Sequence, residues 1–255
     1  MTTTKLGSDL YLDLLKKILT NTIYEDGTLR HEILGLPSAE HSSAVRAGGG
    51  DWPVVAHTMI GRTRLDNVHE CLDRVVADGV PGDFIETGVW RGGTCIFVRG
   101  YFEANDIRDR RVWLADSFEG LPEVTGESHQ FDQDIKLHTH NDVLAVSLAE
   151  VRRNFERYGL LDEQVEFLPG FFEDTLPQAP IEQLAVLRLD GDLYQSTLDA
   201  LTNLYPKLAP GGFVIVDDYV LPGCKEAIHD YRARHGIEDK LEPIDLYSVY
   251  WRRAE

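Results

Sequence analysis

Residues 81–255 predict an α/β domain built on a mostly parallel sheet, and three observations carry that reading. Five short apolar segments recur along the chain: FIETG (84–88), RVWLAD (111–116), QVEFLPG (164–170), LAVLRLD (184–190) and GFVIVDD (212–218). Helix-length segments separate them, and strands this apolar, without the alternation of a half-wetted sheet, belong where helices cover both faces. The strands also tend to end on acids, at the edge where an open parallel sheet binds its ligands.

The elements follow in order. Ser8 can cap a helix whose Leu10, Leu14, Leu15, Ile18, Leu19 and Ile23 recur at helical spacing. Residues 25–56, with Pro37 and RAGGGDWP (46–53), predict a mobile connector. A second helix is expected over 63–78, stopping at Gly79, which makes residues 1–80 an N-terminal helical extension packed on the core. Further helices are expected at 92–104, 147–158, 194–208 and 224–235. KLEPIDLYSVYWRR (240–253) closes the chain as two strands, adding an antiparallel edge and bringing the sheet to seven. Residues 117–146 show no clear period, and so long a loop inside a compact domain is expected to be a lid.

Composition narrows the function. With 255 residues, 43% of them hydrophobic, the chain can bury a full core. No stretch reaches the length of a membrane span and MTTTKLGSDL lacks the apolar core of a signal peptide, so a soluble, cytoplasmic protein is expected. Cys71, Cys95 and Cys224 match no metal or redox spacing and are expected as buried free thiols. A formal charge of −18 repels phosphate backbones, which argues against nucleic acid.

Glu86, Asp116, Asp190, Asp192, Asp217 and Asp218 converge on one rim, and like charges that close need a cation or ligand hydroxyls to hold them. After Glu86, the glycines Gly88, Gly92 and Gly93 allow a tight turn, but the spacing is neither a phosphate loop nor the dinucleotide GxGxxG. An acid followed by glycines suits a cofactor ending in a charged amino acid, such as S-adenosylmethionine. Asp116 is placed to accept from ribose hydroxyls, as it would with NAD. Asp190, Asp217 and Asp218 offer oxygen alone, which favours Mg²⁺, Mn²⁺ or Ca²⁺ over zinc. Two rival readings use the same residues. One is a phosphoryl-transfer enzyme with Asp190 of LDGDLY as nucleophile; the other is a nicotinamide dehydrogenase or a non-catalytic nucleotide-binding module.

VVAHTMIGRTRLDN (54–67), PGDFIETGVWRGGTCIF (81–97), WLADSFEGLP (113–122), NFERYGLLD (154–162), LAVLRLDGDLY (184–194) and PGGFVIVDDY (210–219) together resemble the macrocin and mycinamicin III O-methyltransferase family. The resemblance runs from about Leu10 to Arg253 and thins between 27 and 50. It implies a class I, Rossmann-like methyltransferase fold, Mg²⁺ dependence and transfer of methyl to a deoxysugar hydroxyl of a glycosylated natural product such as a macrolide. A methyltransferase acting on a non-sugar hydroxyl is the alternative. The implied metal ligands are Asp190, Asp217 and Asp218. The implied cofactor contacts are Thr58 and Met59, the segment Glu86, Thr87, Gly88, Val89, Trp90, Gly92 and Gly93, then Asp116, Ser117, Gly170, Phe171 and Asp190.

Asp190 is expected as general base, with His138 of the lid second. Trp52, His138, His140 and Tyr219 are expected at the acceptor. Three departures from the family pattern gather there: Asp51-Trp52-Pro53 replaces Asp-Tyr-Pro, His138-Thr139-His140 replaces His-Gln-Tyr, and Val220-Leu221-Pro222 replaces Cys-Ile-Pro. The expected partners are a small glycosylated substrate and further copies of the chain, as a dimer or tetramer.

Overall fold

The structure is a computed structural model that describes residues 2–254. A seven-stranded sheet carries the fold: β1 (Asp83–Thr87), β2 (Val112–Asp116), β3 (Val165–Pro169), β4 (Leu184–Leu189), β5 (Leu208–Val216), β6 (Glu242–Pro243) and β7 (Val249–Arg252). Their spatial order is β3-β2-β1-β4-β5-β7-β6. The first five pair in parallel, and β7 runs antiparallel to both β5 and β6. The order reverses between β1 and β4, the switch point where a crevice opens beyond the strand ends.

Helices cover both faces, as the apolar strands require. On one side α1 (Thr2–Leu19), α2 (Gly61–Ala77), α3 (Gly93–Ala104) and α4 (Leu148–Tyr158) enclose a core that includes Leu15, Leu65, Phe97, Phe155 and Phe84. On the other, α5 (Tyr194–Leu204) and α6 (Pro222–His235) pack over Ile85, Leu187, Val214 and Trp251. Helix α4 begins where expected, with Ser147 as N-cap accepting from the Glu150 N–H.

Three expectations for the N-terminal region change. Ser8 does not start α1, which continues back to Thr2. The apolar stripe of α1 is also split: Leu15 and Leu19, with Leu12, are buried, whereas Leu10, Leu14, Ile18 and, just beyond, Ile23 are exposed. Gly100 of α3 lets α1 approach, since a Cβ there would stand 2.5 Å from Leu15 Cδ2.

The segment expected as a mobile connector is tied down. Thr28–Leu29 pairs with Trp52–Pro53, and buried Arg46 joins Asp26 to Asp51. The segment expected as a lid contains Gln130–Ile135, the 3₁₀ turn Leu137–His140 and Asn141–Leu144, helices too short to print a period on the sequence. No helix among the described residues is long and apolar enough to cross a membrane.

Candidate active site

Strand register builds the acidic rim. Glu86 lies opposite Arg188, and Leu189 lies opposite Val216, so the chain leaves the sheet with Asp190 beside Asp217 and Asp218. Residues two apart on a strand share a face, which puts Arg188 with Asp190. Arg188 Nη1 donates to Asp190 Oδ2 at 2.6 Å and also to Glu86, while its Nη2 donates to Asp217 Oδ1. Arg64, in the first turn of α2, donates to Asp217 Oδ2 and, through Nε, to Asp245 at 2.8 Å. Asp218 accepts from the Asp192 N–H at 3.1 Å. Carboxylate oxygens of Asp190, Asp217 and Asp218 lie within 4.8 Å of one another.

This cluster is short of positive charge. Among the described residues, Glu86, Asp190, Asp192, Asp217 and Asp218 face only the guanidinium groups of Arg64 and Arg188. Burial, then repulsion from neighbouring acids, pushes Asp190, Asp192 and Asp218 above the usual carboxylate range. Burial, with repulsion from Asp190 added, lifts Glu86 to about 7 against the pull of Arg188. Burial works against charge on Arg188 too, yet Asp217, Asp190 and Glu86 outweigh it and hold the guanidinium charged. An oxygen-only donor set with surplus negative charge fits a hard divalent cation.

A cavity of about 910 Å³ opens on this rim. Of the residues expected at the cofactor, Met59, Gly88, Trp90, Asp116, Ser117, Phe171 and Asp190 line it. Asp116 receives the Val89 and Phe118 N–H groups at 2.7 Å each, one on each oxygen, so each oxygen keeps a lone pair for a hydroxyl. Trp90, at φ 47°, ties the wall to segment 117–146 through Nε1 to the Val143 carbonyl at 3.1 Å. The donor set and the apolar wall therefore fit a nucleoside cofactor with a thioether or sulfonium chain.

Thr58, Glu86, Thr87, Val89, Gly92, Gly93 and Gly170 are not in the cavity wall. Glu86 sits one residue inside β1, buried against Arg188 and Cys95 Sγ, and is a support of the rim. The glycines meet the protein itself. A Cβ at Gly88 would stand 1.8 Å from the Asp190 carbonyl, and one at Gly93 would stand 2.3 Å from the His57 carbonyl. The close approach inferred from sequence is thus between parts of this chain.

Of the residues expected at the acceptor, Trp52 lines the cavity and meets His140 edge-on at 5.6 Å. His140 and His138 stand outside the wall; on that turn Leu137 faces in, and His138 Nδ1 is sealed without a partner. Tyr219 is directed to α6 instead, its hydroxyl 2.8 Å from His229 Nε2. The wall includes residues that the sequence reading missed: Leu34, Arg64, Tyr247 and His129, whose ring stacks on Tyr194 at 4.0 Å. Arg188 carried a legible signal, a charged residue inside a buried strand; Arg64 looked like any basic residue on a helix.

Residues 8–253 match the family described as Macrocin-O-methyltransferase (TylF). A Streptomyces olivaceus protein, 8-demethyl-8-(2,3-dimethoxy-alpha-L-rhamnosyl)-tetracenomycin-C 4'-O-methyltransferase, is 59% identical over 96% of this chain and 93% of its own. Mycinamicin III 3''-O-methyltransferase of Micromonospora griseorubida is 55% identical, covering 97% and 98%. Among solved structures, the O-methyltransferase NovP superposes with a TM-score of 0.93 at 55% identity, covering 97% of this chain and 100% of its own. The calicheamicin methyltransferase CalS11 shares the fold, with a TM-score of 0.59 at 19% identity over 97% and 93% of the two chains. These likenesses set aside phosphoryl transfer at LDGDLY, and the family implies S-adenosylmethionine as cofactor. With a class I methyltransferase sheet, a rim of converging acids and relatives at 55–59% identity over nearly its whole length, the chain belongs to the macrocin O-methyltransferase family and is an O-methyltransferase.

Proposed function

We propose that the protein methylates a hydroxyl of a deoxysugar carried by a macrolide or another glycosylated natural product, with S-adenosylmethionine as donor and Mg²⁺ held by Asp190, Asp217 and Asp218. The carrying observation is the convergence of those three carboxylates on a cavity whose wall also holds Met59, Trp90, Asp116 and Phe171. The acceptor class is supported by the relatives' names, one of which specifies a rhamnosyl group.

When bound, the donor supplies an electrophilic methyl, and a divalent ion lowers the pKa of a hydroxyl it holds. The chain's own residues do the rest. Asp116 is placed for the ribose, and Met59, Trp90 and Phe171 give the cofactor apolar walls. Asp190 is the general base, since it lines the cavity at the strand end, between the proposed cofactor wall and the other two carboxylates. His138 stays second, because the lid must shift to bring it to the wall. Trp52 and the lid exclude water and fix the acceptor; such positioning contributes on the order of 7–11 kcal/mol in well-oriented cases.

The test is incubation of the protein with S-adenosylmethionine, Mg²⁺ and the glycosides named for its relatives, followed by mass spectrometry. One added methyl on the sugar fragment is expected, and a methyl on the aglycone would overturn the sugar reading. Asp217→Asn with Asp218→Asn should abolish transfer while S-adenosylhomocysteine still binds. Transfer that persists in chelator would remove the metal from the reading.

A further inference from the structure

We infer that Arg64 and Arg188 are positioning residues for the metal ligands, holding Asp190 and Asp217 in the arrangement that receives the cation. This rests on the metal site proposed above. Three carboxylates whose oxygens lie within 4.8 Å repel one another, and on rotatable side chains they would swing apart unless held. The hold is visible. Arg188 takes Asp217 Oδ1 and Asp190 Oδ2, and Arg64 takes Asp217 Oδ2. Both oxygens of Asp217 are thereby oriented, and each retains a lone pair.

Neither arginine is placed by chance. Arg188 is fully buried, and its Nε has no partner, so this guanidinium is directed at acids alone, through its two terminal nitrogens. Arg64 is anchored from the other side, by Asp245 at 2.8 Å and by the Tyr247 ring at 5.1 Å. The two reach Asp217 from different elements, β4 and α2, which makes a two-sided clamp.

A clamp and a mere counter-charge predict opposite signs. If the arginines only balanced charge, removing one would make the rim more negative and tighten cation binding. If they position the ligands, removing one loosens the geometry and weakens binding, by about 10- to 100-fold for supports of this kind.

The experiment is a Mn²⁺ titration of the intact protein, followed by the electron paramagnetic resonance signal of free Mn²⁺. Wild type, Arg64→Met, Arg64→Lys and Arg188→Met are compared, with melting temperature and metal-free S-adenosylhomocysteine affinity as checks of folding. Arg64→Met is expected to weaken Mn²⁺ binding about 10- to 100-fold with S-adenosylhomocysteine affinity unchanged. Arg64→Lys should lie between, keeping the charge without the fork. Unchanged or tighter Mn²⁺ binding in folded Arg64→Met overturns the inference, and that variant decides even if Arg188→Met fails to fold. A wild type that binds no Mn²⁺ overturns the metal reading beneath it instead.

Discussion

Two clusters in this protein are made of the same parts, buried arginine and aspartate, and they behave in opposite ways. In the N-terminal region Arg46, fully buried, is saturated. Its Nε reaches the two oxygens of Asp51 at 3.0 and 2.9 Å, Nη1 reaches Asp26 at 2.7 Å and the Thr20 carbonyl at 2.9 Å, and Nη2 takes Asp51 at 2.8 Å with two further carbonyls. The acids are satisfied in turn: Asp51 accepts from Thr28, and Asp26 from Asn21 and the Val55 N–H. At the rim, Arg64 and Arg188 face more acids than they can neutralise, and Asp190, Asp192 and Asp218 are driven above their usual range. A closed network folds the chain; an open one, kept strained by its surplus charge, is where a ligand belongs.

Breaking each cluster should separate them. Arg46→Met leaves two buried carboxylates without their cation, and urea unfolding should show a loss of about 3–5 kcal/mol. Asp51→Asn removes charge-assisted bonds and should cost about 1.5–3 kcal/mol. Asp218→Asn, measured without metal, should do the reverse. It relieves repulsion at a functional site and should raise stability by about 0.5–2 kcal/mol while methyl transfer is lost. Equal destabilisation by Asp51→Asn and Asp218→Asn would make the rim another structural cluster.

The same contrast explains what the sequence disclosed. The five parallel strands and their terminal acids were legible because period and position carry them within a few residues. The Arg46 network was not, because RAGGGDWP looks flexible. Its glycines serve contact: a Cβ at Gly49 would stand 2.4 Å from the Ile60 carbonyl, and one at Gly61 would stand 2.4 Å from the Gly49 nitrogen. The two glycines let the connector lie directly against the start of α2. Glu86 was legible as an acid at a strand end but not as one inside the sheet, since one residue decides between ligand and support. His129 and Tyr247 could not be found from pattern, because the lid and the C-terminal loop reach the cavity only through tertiary packing.

The smallest effect separates the clusters by pH. Burial raises the Asp26 carboxyl, but bonds from Arg46, the Val55 N–H and Asn21 outweigh it and hold the group below its usual range. A carboxyl depressed in the folded state binds its proton more readily in the unfolded chain, so its stabilisation is complete above the unfolded value and fades as pH falls through the folded one. The window therefore lies below about pH 4, the ordinary aspartate range. Urea midpoints for wild type and Asp26→Asn should differ at pH 7 and converge as pH drops toward 3, because the variant has already lost what acid removes. Acids at the rim shift the other way and are common to both proteins, as is Asp51, so the difference between the two curves isolates the part of the Arg46 network that Asp26 carries. Curves that stay parallel from pH 7 to 3 would mean that Asp26 carries no charge-dependent stability, and that Asp51, the carbonyl bonds of Arg46 and packing hold the connector without it.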